Sequence, residues 1–142
     1  MRILLLLLLL GTAATAHAAI VHIHFARLLD PAGSHEYELT CASTSPKSCH
    51  IEETLDGEQV ATKNLGVKEA QAVASEFFTH STQTTTRRTS SPRLLSWEVQ
   101  SGQKHSQGEL SERDLNRSTP TQDRLVAALY SLEVSLKSMV TR

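Results

Sequence analysis

Cysteine and aromatic residues are scarce in this chain, long apolar runs are nearly absent, and neither sign of charge prevails. Its 142 residues hold 2 Cys, 4% aromatics, and 14 Lys+Arg against 15 Asp+Glu, for a formal net charge of −1. That balance leaves no basic footprint of the kind that neutralises nucleic-acid phosphates. The one continuous apolar stretch, residues 3–10, falls well short of the roughly 20 residues a helix needs to cross hydrocarbon. Catalytic signatures are missing as well. The chain has no Gly-x-Ser-x-Gly elbow and no glycine-rich phosphate loop, and His35-Glu36 lacks the second His of a zinc-protease helix because position 39 is Leu. These absences predict a non-enzymatic protein without a cofactor.

The apolar stretch fits a different role. Arg2 supplies a positive start, residues 3–10 an apolar centre, and Ala16-His17-Ala18 a small-x-small cleavage signal. Residues 1–18 therefore read as a secretory signal peptide, and 19–142 as one exported domain, secreted or periplasmic, with no membrane span after cleavage. Loss of Arg2 shifts the net charge of the remainder to −2. Apolar residues then make up about 35% of it, enough for one small core and not for two.

An oxidising destination makes a disulfide between Cys41 and Cys49 the default pairing. Redox or zinc chemistry is opposed by the spacing, which contains no Cys-x-x-Cys.

Period-two alternation marks the strands. Val21, Ile23 and Phe25 alternate with His22, His24 and Ala26; Tyr37, Leu39 and Cys41 alternate with Glu36, Glu38 and Thr40. A third strand starts at Cys49, with Ile51 and Leu55 on its apolar side. Asp56-Gly57 signals a type I′ turn, and residues 58–62 form a short return. The period becomes helical at Val67, with Ala70, Val73, Ala74, Phe77 and Phe78 on one face. Residues 79–92 contain nine Ser or Thr and no apolar residue, so they read as a loop. Leu95, Trp97 and Val99 alternate again, Ser101-Gly102 turns the chain, and residues 103–110 return. After a charged connection, Thr119, Pro120 and Gln122 supply a cap, a helix-starting proline and a partner for the cap. Leu125, Leu129, Leu132 and Leu136 then recur at helical spacing as core.

The expected fold is α+β: one small domain, mostly antiparallel sheet in the order βββ(β)-α-ββ-α, with both helices on one face. This order is similar to that of several small exported α+β modules, some of which inhibit proteases. The leading expectation is a protein-binding module, an inhibitor or accessory protein whose partner is another exported protein. Its candidate contacts are the loop at 42–48 and the basic pair Arg87 and Arg88. The alternative is metal binding by His22, His24 and His50 on the sheet face opposite the core, with Glu38 and Glu52 beside them; imidazoles suit Zn, Cu or Ni. As a catalytic carboxylate pair Glu52 and Glu53 are discounted: neighbours on a strand point to opposite faces and cannot flank one bond, so they read as ordinary strand residues. Asn116-Arg117-Ser118 reads as a glycosylation sequon in a eukaryotic chain and otherwise as a solvent-exposed approach to the last helix.

Overall fold

A computed structural model describes residues 21–29, 33–42, 48–81, 93–116 and 119–142. The segment 1–18 expected to be a signal peptide, most of the 42–48 loop, and Arg87 and Arg88 within 82–92 lie outside the described residues. So do Arg117 and Ser118 of the sequon.

Six strands form one sheet: β1 (Val21–Leu29), β2 (Gly33–Cys41), β3 (Cys49–Leu55), β4 (Glu58–Leu65), β5 (Arg93–Ser101) and β6 (Lys104–Ser111). Their spatial order is β4-β3-β2-β1-β5-β6, and every neighbouring pair is antiparallel. The first four strands make a meander. Helix α1 (Val67–His80) then carries the chain back so that β5 pairs with β1, and the hairpin β5–β6 completes the sheet. A single-turn helix α2 (Glu112–Leu115) leads to the long α3 (Pro120–Thr141).

Helix α1 packs over β1 and β5, while α3 packs over β3, β4 and α1, so both lie on one side. Between helices and sheet sit Val21, Ile23, Phe25, Leu39, Ile51, Trp97 and Val99 from the strands, meeting Ala70, Ala74, Phe77, Leu125, Leu129, Leu132 and Leu136. Each large side chain so buried contributes about 1.5–3 kcal/mol relative to an exposed one. Trp97 keeps its indole N–H satisfied by donating to Ser106 Oγ at 3.1 Å.

Turn chemistry sets the registers. Asp56 and Gly57 have φ of 53° and 81°, the two positive values that a type I′ hairpin requires. The Asp56 carboxylate reaches across to accept the Ser34 N–H at 2.8 Å. This contact needs Gly33, where φ is +93° and an added Cβ would lie 1.4 Å from Asp56 Oδ1.

Cys41 and Cys49 stand directly opposite each other in the β2–β3 register and are bonded, with Cα atoms 3.9 Å apart. The next residues outward close a backbone bond, Ala42 N–H to Ser48 O at 2.8 Å. The cysteines therefore occupy a non-hydrogen-bonded pair, the kind in which opposed Cα atoms come closest.

Several boundaries differ from expectation. The strand β2 begins three residues before 36, and β4 runs to Leu65 rather than 62. Thr79 and His80 belong to the last turn of α1, not to a loop, because hydroxyl-rich composition hid a turn whose Thr79 Oγ1 bonds back to Ser75 O. The charged connection contains α2, stabilised by a capping box. Ser111 accepts the Asp114 N–H, and the Asp114 carboxylate accepts the Ser111 N–H at 3.0 Å. At α3 the cap is half of the expected device: Thr119 Oγ1 accepts the Gln122 N–H, but the Gln122 side chain donates to Asp114 O instead. Leu55 has the expected parity yet remains 40% exposed, since it lies at the end of β3 beside the Asp56-Gly57 turn.

Replacing both cysteines by alanine should lower the stability by about 2.5 kcal/mol, the chain-entropy value for so short a loop. Urea unfolding of the double variant against the oxidised chain measures it; an unchanged midpoint would contradict a clamp.

Candidate binding face

With both long helices on one side, the opposite side of the sheet is uncovered by any described element. Strand parity decides what it shows. One row across the sheet reads Asn64, His50, Thr40, His22, Gln100 and His105; the next reads Thr62, Glu52, Glu38, His24, Glu98 and Gln107. A third adds Thr54, Glu36, Ala26, Ser96 and Glu109. Five carboxylates and four imidazoles thus share one surface. No Lys or Arg stands in these rows.

Glu38 is the hub. His22 Nε2 donates to its Oε1 at 2.8 Å, and His24 Nδ1 to its Oε2 at 2.7 Å. Burial by itself pushes the Glu38 carboxyl up, but the hydrogen bonds from His22 and then His24 outweigh it and hold the group below its ordinary value of 4.5. His50 belongs to a separate group, bonding Glu52 through Nε2 at 3.0 Å, with Asn64 Oδ1 at 3.0 Å from Nδ1 and Thr62 Oγ1 at 2.9 Å from Nε2. His105 Nε2 meets Glu98 Oε1 at 3.2 Å.

The structure therefore brings His22 and His24 together around one carboxylate and leaves His50 two strands away, with Thr40 between. Among the described residues no group of three or more His, Cys, Asp or Glu side chains is arranged to hold a metal ion. The reason is the sheet's own spacing: strands stand about 4.8 Å apart, so residues two strands apart are separated by about twice that.

A second polar system lies on the helix side, and sequence reasoning missed it. Arg27, His35 and Glu53 occupy strand positions of apolar parity. Arg27 donates to Glu133 of α3, through Nε to Oε1 at 2.8 Å and through its terminal nitrogen to Oε2, while its guanidinium lies 5.1 Å from the Tyr130 ring centroid. The Glu133 hydrogen bond is the chief reason the Arg27 pKa is raised. His35 Nε2 and the Tyr37 hydroxyl both donate to Glu53 Oε1, at 2.6 and 3.2 Å. Burial, reinforced by the Glu53 charge, pushes the Tyr37 phenol far above its usual value. These groups satisfy one another, and the Arg27–Glu133 pair ties α3 to the sheet. The available signal was a polar residue at an apolar-parity position on each of three adjacent strands.

No known protein-family model matches the chain, and no curated protein matches it.

A carboxyl whose folded pKa lies below its unfolded value confers stability above the unfolded value and loses it as pH falls through the folded one. Glu38→Gln should accordingly be less stable than the unaltered chain at pH 7, and the gap should shrink below about pH 4. Urea midpoints at pH 7 and pH 3 test this; an equal gap at both would remove the charge-based account.

Proposed function

We propose that the chain is exported and acts without catalysis, by binding another exported protein as an accessory or inhibitory partner. The leader-like start and the disulfide support the destination, because such bonds persist in oxidising compartments. The observation that carries the binding role is the open sheet face. A merely solvated face mixes charges of both signs, whereas this one sets Glu36, Glu38, Glu52, Glu98 and Glu109 in ordered rows with imidazoles and, among the described residues of those rows, no Lys or Arg. Rigid strands hold those groups at set spacing, which limits the ordering cost of association. Arg87 and Arg88 remain part of this proposal as a further contact.

A photo-crosslinking residue in place of Thr40, between His22 and His50 on the face, should yield one adduct of defined mass when the chain is expressed in exporting cells. The same residue at Gln71, on the exposed side of α1, should not. Adducts that are absent from Thr40, or identical from both positions, would contradict a partner on this face.

A further inference from the structure

On the helix side, between the end of α1 and the first half of α3, lies a cavity of about 540 Å³, within the range of small-molecule sites. Its polar rim is formed by His80, Ser81, Thr121 and Arg124, and its apolar wall by Leu125 and Ala128. Two features of the rim are unusual. Ser81 is 5% exposed, and its Oγ has no hydrogen-bond partner among the described residues. A buried hydroxyl left unsatisfied costs stability that an apolar residue of similar size would not. Arg124 stands at the same rim with no carboxylate partner among the described residues.

We propose that this cavity binds a small amphipathic carboxylate, its head group between Arg124 and Ser81 and its short apolar body along Leu125 and Ala128. A guanidinium presents a donor fork matched to one carboxylate, and the Ser81 hydroxyl supplies a further donor that no described residue uses. The wall favours an apolar body over a bare inorganic anion. Body length is limited, because the adjoining slot between the helices, lined by Val73, Phe77 and Leu132, holds only about 10 Å³. Glu76 also lines that slot and repels an anion entering head first, which leaves the Arg124 end for the carboxylate. This site is on the side of the sheet away from the open face, so its occupancy does not depend on the protein partner proposed above.

Octanoate is the probe, titrated calorimetrically into the chain with its disulfide intact, with octylammonium as the charge-reversed control. The expected result is saturable one-to-one binding of octanoate and none of octylammonium. Arg124 is exposed, so Arg124→Gln should keep the fold and weaken octanoate binding about tenfold or more. Ser81→Ala should weaken binding several-fold while raising the thermal midpoint of the free protein, a pairing that a purely structural serine would not produce. No saturable heat with octanoate, equal binding of octylammonium, or an affinity unchanged by either substitution would overturn the proposal.

Discussion

The covalent pairing of Cys41 with Cys49 is the constraint on which the arrangement depends. Side chains on a strand alternate faces, so a slip of one residue between β2 and β3 would exchange their core and solvent sets. A bond between two directly opposed residues forbids that slip at one end of the hairpin. The Asp56-Gly57 turn, with Asp56 holding Ser34, forbids it at the other. Between those two pins Leu39 and Ile51 face the helices, while Glu38, Glu52 and His50 face outward. Pairing of β1 with β2 then places His22 and His24 against Glu38.

The same parity separates two polar systems with different consequences. On the outer face the carboxylates Glu38 and Glu52 are 46% and 43% accessible, and the imidazoles His22 and His24 beside Glu38 are 27% and 33% accessible. Their interactions are screened by water and contribute little stability individually; what they provide is a patterned surface of one fixed sign. On the helix side, Arg27, Glu133, His35 and Glu53 are 14–26% exposed. Removing one partner there would strand a charge in a poorly solvated place. That system positions α3, whose Leu125 and Ala128 form the wall of the cavity beside Ser81.

Where burial follows a simple period, the fold was legible in the sequence. Val21, Ile23 and Phe25, and the Leu125 to Leu136 stripe, announced their elements because one face of each had to be apolar. The outward His22, His24, Glu38, Glu52 and His50 followed from the same alternation, although strand spacing kept the His50–Glu52 pair apart from His22 and His24 at Glu38. Arg27, His35 and Glu53 were not legible, since whether a polar residue at an apolar-parity position is exposed or paired depends on what crosses above it. Here that is Glu133 for Arg27 and the neighbouring strand for His35, more than a hundred residues away in the first case. The helix α2 escaped for a local reason: four residues are too few to show a period, and its capping box uses Asp114 where the usual pattern has Glu or Gln. The cavity beside Ser81 depends on two helix ends meeting, which a serine- and threonine-rich stretch does not foretell.

Nuclear Overhauser contacts between α-protons test the register most directly, since such protons approach closely only across non-hydrogen-bonded antiparallel pairs. In the oxidised chain they should link Cys41 with Cys49, Leu39 with Ile51, and Tyr37 with Glu53. Contacts displaced by one residue, such as Thr40 with Ile51, would contradict the placement of every polar group described above.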